Sequence, residues 1–152
     1  MDKTLVIYNR YACKGRFKYS IQDVEKGLKD EEIIADMVLT EYPEHAIDLV
    51  EKSVKEGYRQ VIIVGGDGTI NEAVNGLIQA QKKGFGKATL GVIQNGRGND
   101  FAFGMKIPNE LKEAISLIKK AQPIPMDVGY VKTNEKSRYF CNGAGIGFDS
   151  AI

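Results

Sequence analysis

The sequence has little cysteine, no excess of charge and no long apolar stretch, and each shortage excludes a class of protein. Cys13 and Cys141 are the only cysteines among 152 residues, and they stand in no Cys-x-x-Cys or Cys/His spacing. This argues against a disulfide framework or structural zinc and fits a reducing cytoplasm. No run approaches the roughly 20 apolar residues of a membrane span, and Leu5–Tyr8 is too brief for a signal peptide. We therefore expect a cytoplasmic protein whose contact with lipid would be peripheral, at the inner face of the membrane.

The charges are nearly balanced, with 21 lysines and arginines against 20 acidic residues and a net charge of +1. Such a chain has no field that would hold nucleic acid, which we exclude as a partner. With 43% hydrophobic and 27% charged residues, the composition is that of an ordinary globular protein. The length is enough for one complete core and part of another.

Short apolar runs that predict buried strands alternate along the chain with patterns that predict helices. The predicted strands are residues 5–8, 33–39, 61–64 and 89–93. The predicted helices have apolar residues at helical spacing within 21–28, 46–54 and 70–77, and within a segment that starts at Pro108. This alternation predicts an α/β fold with a doubly wound, mainly parallel sheet and helices on both faces. The ligand crevice of such a sheet lies at the carboxyl ends of its strands.

A change of pattern at Pro123 predicts a boundary between an α/β domain, residues 1–122, and a second region, residues 123–152. Residues 133–136 form a polar turn between two segments of β-type composition, which predicts an antiparallel hairpin. Two or three strands bury too little apolar surface to fold alone. We therefore expect the second region to be the incomplete start of a β-rich domain and to pack against the first.

The strongest local signal is the glycine-rich loop Gly65–Thr69, which follows a predicted strand and precedes a predicted helix. Glycines expose backbone N–H groups without an obstructing Cβ, and the helix N-terminus favours a bound anion. Asp67, in the middle of this loop, could reach a magnesium ion through water. The alternative is a tight turn with no ligand, followed by a capping box between Thr69 and Glu72.

A second glycine-rich loop, Asn95–Asp100, follows the next predicted strand. Its Asn-Gly pair is also typical of a simple turn, and Asn99 or Asp100 could cap a helix. Loops at the ends of two successive parallel strands nevertheless meet at one crevice, which favours a shared binding site.

Four strings then occur in order: GGDGTINEAVNG at 65–76, GNDFA at 98–102, MDVG at 126–129 and YFCNGAGIGFD at 139–149. Together they resemble the bacterial diacylglycerol kinase and lipid kinase family, which also contains the sphingosine and ceramide kinases. The resemblance covers nearly the whole chain. The shorter GGDGT string is shared with NAD kinases, so an NAD-kinase-like enzyme is an alternative.

The resemblance implies that residues 1–122 bind ATP, and that the complete protein transfers its γ-phosphate to the hydroxyl of a diacylglycerol-like lipid. The implied nucleotide site consists of Asn9, Thr40, Gly65, Gly66, Asp67, Gly68, Thr69 and Asn71. The resemblance also implies that Asp67, Asp100 and Asp127 are catalytic and organise Mg²⁺ through water. The alternative for Asp100 and Asp127 is capping or a hydrogen bond at a strand end.

The sequence departs from the family pattern at three places. The first loop has Asn9–Gly15 in place of N-P-x-S-G-x-G, and the second has Arg97 where the family has a small hydroxyl residue. Arg97 either contacts a phosphate of the nucleotide or obstructs the crevice. The family's second domain supplies further metal ligands and an acidic base for the lipid hydroxyl, and no residue here is assigned to that role.

We therefore expect the chain to be truncated and its activity to be weak or absent unless another chain completes the site. A rival hypothesis is a non-catalytic remnant that binds nucleotide or associates with itself. Four apolar residues near its end would then seek burial and favour a homodimer: Tyr139, Phe140, Ile146 and Phe148.

Overall fold

The computed structural model describes residues 2–141, so Ile146, Phe148 and most of the predicted 139–149 string lie outside the described residues. The strands are β1 Lys3–Tyr8, β2 Asp36–Leu39, β3 Tyr58–Gly65, β4 Thr89–Gln94, β5 Gly129–Lys132 and β6 Ser137–Phe140. The α-helices are α1 Ile21–Asp30, α2 His45–Lys55, α3 Asp67–Lys82, α4 Asp100–Gly104 and α5 Leu111–Lys120. A short 3₁₀ turn spans Ala12–Gly15.

The first four strands form one parallel sheet in the order β2-β1-β3-β4. All four are therefore aligned, and the loops that follow them emerge at the same edge. The predicted α/β class is confirmed, with helices around a parallel sheet and a small antiparallel sheet after it.

Alternate residues of the central strands serve two separate apolar cores, one on each face of the sheet. Val6 and Tyr8 of β1 pack with Val24 of α1 and Ile115 of α5. Leu5 and Ile7 lie in the opposite core, which includes Val50 of α2 and Ala73 of α3. Because neighbouring side chains of a strand point to opposite faces, a continuous apolar strand requires helices on both sides.

Two predicted boundaries are wrong because backbone hydrogen bonds compete with the local pattern. The second strand begins at Asp36 and not at residue 33, since Glu32 adopts φ 58° and the N–H of Ile33 donates to the carbonyl of Leu28 (2.9 Å). The last helix begins at Leu111 and not at Pro108. The amide of Gln94 donates to the carbonyl of Pro108 (3.1 Å), which holds that residue in the loop.

The predicted hairpin is present, with β5 and β6 antiparallel and Tyr130 opposite Tyr139. The N–H of Thr133 donates to the carbonyl of Lys136 across the predicted turn (2.7 Å). The hairpin packs on α3 through β6. None of the helices within residues 2–141 is long and apolar enough to cross a bilayer.

Candidate functional site

The two glycine loops lie against each other at the carboxyl ends of β3 and β4. The N–H of Asn95 donates to the carbonyl of Gly65 (2.8 Å), which continues the pairing of the two strands into the loops. Beyond this bond, a Cβ on Gly66 would lie 3.1 Å from the Cα of Gly96. The backbones approach this closely because both positions lack a side chain. The two loops therefore lie side by side at the same crevice.

Asp67 links the first loop to the second through its carboxylate. Its two oxygens accept hydrogen bonds from the backbone N–H groups of Asp100 and Phe101, each at 2.9 Å. These N–H groups belong to the first turn of α4, where no intrahelical partner exists. Asn99 occupies the N-cap position with φ 54° but makes no cap bond, and its side chain accepts from the N–H of Gly96 instead (3.1 Å). The helix is thus capped from the other loop.

A chain of side-chain hydrogen bonds joins the ends of β1 and β2 to the first loop. The side-chain nitrogen of Asn9 donates to the hydroxyl of Thr69 (2.8 Å), and the hydroxyl of Thr40 donates to the side-chain oxygen Oδ1 of Asn9 (3.1 Å). That oxygen also accepts from the N–H of Tyr11 (2.9 Å), which shapes the turn after β1. Asn9, Thr40 and Thr69, three of the residues that the resemblance implies, are therefore brought together.

The alternative of a capping box between Thr69 and Glu72 is not present in the structure. Helix α3 begins at Asp67, its N-cap residue is Gly66, and no side chain caps it. The hydroxyl of Thr69 is bonded to Asn9. Glu72 accepts from the N–H of Glu44 at the start of α2 (2.9 Å). Thr69 and Glu72 thus serve contacts between elements and not the helix start.

Two of the predicted carboxylates converge on the space beside Gly98. A Cβ placed on Gly98 would lie 3.4 Å from Oδ2 of Asp67 and 3.9 Å from Oδ1 of Asp100. Asp100 is exposed, and Asp127 is exposed in the connection before β5. Within residues 2–141, no group of three or more His, Cys, Asp or Glu side chains could enclose a metal ion. The role of Asp127 stays a prediction.

Two further predicted residues have different surroundings. Arg97 is exposed, and its side chain makes no hydrogen bond or ion pair to the rest of the described chain. Asn71 is half-buried, and its side-chain oxygen Oδ1 accepts from the N–H of Cys141 (3.1 Å). Asn71 is therefore hydrogen-bonded to β6 and to the residue after it. The role of Arg97 in nucleotide binding stays a prediction.

Sequence reasoning missed the structural role of Asn95. This residue is 2% exposed, and its side chain exchanges two 2.9 Å hydrogen bonds with the N–H and the carbonyl of Tyr19. The same carbonyl accepts from the hydroxyl of Tyr8 (2.7 Å), whose pKa is raised by burial. Asn95 therefore anchors the segment before α1 to the second loop. The available signal is an asparagine at a strand end, but its Asn-Gly pair predicts only a turn or a place in the second glycine loop.

The partly buried carboxylate of Glu72 is expected to make the stability of the fold depend on pH. Burial raises its pKa above the ordinary 4.5, although the N–H of Glu44 and the charge of Arg138 act in the opposite direction. A raised folded-state pKa means that stability falls as pH rises from about 4.5 through the folded value. Glu72→Gln keeps an oxygen for Glu44, so we expect it to raise the free energy of unfolding at pH 7 by less than about 1 kcal/mol.

Urea unfolding of both proteins at pH 4 and pH 7 checks this, because the difference should shrink at pH 4. Glu25→Gln on the exposed face of α1 is the control for the substitution itself, because it removes no buried carboxylate. A Glu72→Gln protein that is less stable than the original at pH 7 would contradict the prediction.

The sequence is similar to diacylglycerol kinases over most of its length. A model of the diacylglycerol kinase catalytic domain matches residues 3–131. A diacylglycerol kinase of Staphylococcus carnosus (strain TM300) is 31% identical over 142 residues, which cover 93% of this chain and 44% of that protein. One of Staphylococcus aureus (strain bovine RF122 / ET3-1) is 36% identical, with 93% of this chain and 42% of that protein covered. The chain therefore spans less than half the length of these relatives.

A similar solved structure is the crystal structure of a diacylglycerol kinase from Bacillus anthracis str. Sterne. It is 27% identical with a TM-score of 0.65, and the match covers 84% of this chain and 45% of that one. The fold, the paired glycine loops and the family match over most of the chain all point to the same family. The chain belongs to the diacylglycerol kinase catalytic domain family.

Proposed function

We propose that this chain is the nucleotide-binding part of an ATP-dependent lipid kinase, and that ATP binds in the crevice between the two glycine loops. The observation that carries this proposal is the contact between Gly66 and Gly96, together with the bridge from Asp67 to the start of α4. A tight turn without a ligand requires neither feature. Family membership supports the use of ATP as the phosphoryl donor.

The phosphates would lie at the N-terminus of α3. The N–H groups in the first turn of a helix have no partner within the helix. Because α3 has 16 residues, its first turn also carries the positive end of a full helix dipole. Gly68 lies in this first turn, is exposed, and has open space where a side chain would stand. A polyphosphate can therefore approach the backbone closely at this point.

The space beside Gly98 suits a magnesium ion held through water. Mg²⁺ usually keeps several waters and takes one or two carboxylates together with substrate phosphates. Asp67 and Asp100 supply that number of carboxylates, and a preformed cage is not needed. When bound, the ion would neutralise charge on the phosphates. Asp67 would hold the start of α4 in place, and Asp100 would face the phosphate side.

The acceptor is proposed to be the hydroxyl of a diacylglycerol-like lipid, on the basis of the family alone. Phosphoryl transfer depends mainly on positioning and electrostatics, but the hydroxyl still needs an acceptor for its proton. We assign no such base within residues 2–141. Membrane contact, a cytoplasmic location, a homodimer and the NAD-kinase-like alternative all stay predictions.

Thermal unfolding of the purified chain with ATP or ADP and magnesium tests nucleotide binding. A ligand at 100 times its dissociation constant stabilises the folded state by about 2.7 kcal/mol, so a clear rise in Tm is expected. AMP, which lacks the outer phosphates, is the control and should have a much smaller effect. Addition of EDTA should reduce the ATP effect. An unchanged Tm at millimolar ATP and magnesium would refute the proposal.

A further inference from the structure

We propose that Asn75 is a positioning residue that fixes the β5–β6 hairpin to α3. It thereby sets the position of the second sheet relative to the first glycine loop. Asn75 is 4% exposed and faces the backbone of Tyr139 in β6. Its amide nitrogen donates to the carbonyl of Tyr139 (2.9 Å), and its oxygen accepts from the N–H of the same residue (3.0 Å). Because a side-chain amide carries the same donor and acceptor as a peptide group, Asn75 pairs with Tyr139 as a neighbouring strand would.

Asn71 repeats this arrangement one helical turn earlier. Its oxygen accepts from the N–H of Cys141 (3.1 Å), and its nitrogen donates to the carbonyl of Tyr139 (3.2 Å). Residues four apart lie on one face of a helix, and residues two apart on a strand direct their backbone groups to one edge. The helix therefore presents two amides in line with one edge of β6. The nitrogen of Asn75 also donates to the backbone carbonyl of Asn71 (2.9 Å), which orients the Asn75 side chain on the helix.

The other contacts of the hairpin are more exposed. Arg138 forms an ion pair with Glu44, and the ammonium of Lys82 lies 4.9 Å from the centre of the Tyr139 ring. Exposed ion pairs of this kind contribute little to stability. A buried amide that loses its partner carries a larger penalty, so the Asn75 pair is the contact that decides where the hairpin lies.

The two asparagines, which together form a clamp on β6, lie on the helix that begins within the first glycine loop. Helix α3 begins at Asp67, and Asn71 and Asn75 follow one and two turns later. A helix is a rigid support, so the hairpin is held at a set distance from Asp67. The clamp consists of hydrogen bonds within the protein, so it can be tested without nucleotide. Its consequence for phosphoryl transfer rests on the proposed function. If the second sheet helps to hold the lipid, Asn75 would set the position of the lipid hydroxyl relative to the first glycine loop.

Amide hydrogen exchange of the 152-residue chain, measured residue by residue without nucleotide, tests the clamp. Asn75→Asp replaces the donor with a second acceptor that faces the Tyr139 carbonyl. We expect the Tyr139 N–H to exchange at least tenfold faster, while the amides of β1 and β3 keep their protection. The matched control is Asn134→Asp in the exposed hairpin turn, which should leave Tyr139 unchanged.

Unchanged protection of Tyr139 in a folded Asn75→Asp protein would overturn the proposal. If Asn75→Asp does not fold, Asn75→Ala decides, because it removes both bonds to Tyr139 without placing a charge there. Faster exchange of the Tyr139 N–H with a protected β1 and β3 would then support the proposal. Exchange at Tyr139 equal to that of the original protein would overturn it.

Discussion

Asp67→Ala is expected to lower the free energy of unfolding by about 1–3 kcal/mol and to abolish nucleotide binding. The carboxylate accepts from the N–H groups of Asp100 and Phe101, and alanine leaves both without a partner at the start of α4. The second glycine loop would lose its side-chain connection to the first and keep only the backbone bond from Asn95 to Gly65. Urea unfolding measures the first effect, and the ATP-dependent rise in Tm measures the second.

Asp100→Ala is the matched control, since this carboxylate flanks the same space but is exposed. Its removal should cost less than about 1 kcal/mol, the usual contribution of an acidic residue to a helix N-terminus. It should nevertheless weaken the magnesium-dependent part of ATP binding. Equal losses of stability in the two variants would show that the bridge from Asp67 does not hold the loops together.

Gly68→Ala is expected to weaken ATP binding by about tenfold, or 1.4 kcal/mol, without loss of stability. A Cβ at this position meets no atom within 4 Å, so the protein itself accommodates alanine. Alanine in place of glycine inside a helix stabilises by up to about 1 kcal/mol. The added methyl group would, however, occupy the space through which a phosphate approaches the backbone of α3.

The control for Gly68→Ala is Gly104→Ala at the end of α4, where a Cβ also meets nothing within 4 Å. That variant should bind ATP as the original protein does. Isothermal titration with ATP and magnesium gives the affinities, and urea unfolding gives the stabilities. A Gly68→Ala protein with unchanged ATP affinity would favour the alternative in which Gly65–Thr69 is only a tight turn.

The order of the elements of the parallel sheet was predictable because its strands contain short apolar runs and the helices between them are apolar on one face. Val61 to Val64 are all fully buried, as a strand covered on both faces requires. The shared crevice of the two glycine loops followed from parallel strands alone, and the contact between Gly66 and Gly96 agrees with it. The starts of β2 and α5 were not predictable, since they depend on backbone bonds made by Ile33 and Pro108.

The α/β class, the family and the positions of both loops can be predicted without a structure, because hydrophobic periodicity and glycine spacing are local properties of the chain. The partners of the polar side chains depend on how the chain folds. Asp67 caps a helix 33 residues away, Thr69 bonds to Asn9, and Asn71 and Asn75 hold a strand more than 60 residues further on. A polar side chain has many possible partners in sequence, and the fold leaves only those that packing brings within hydrogen-bond distance.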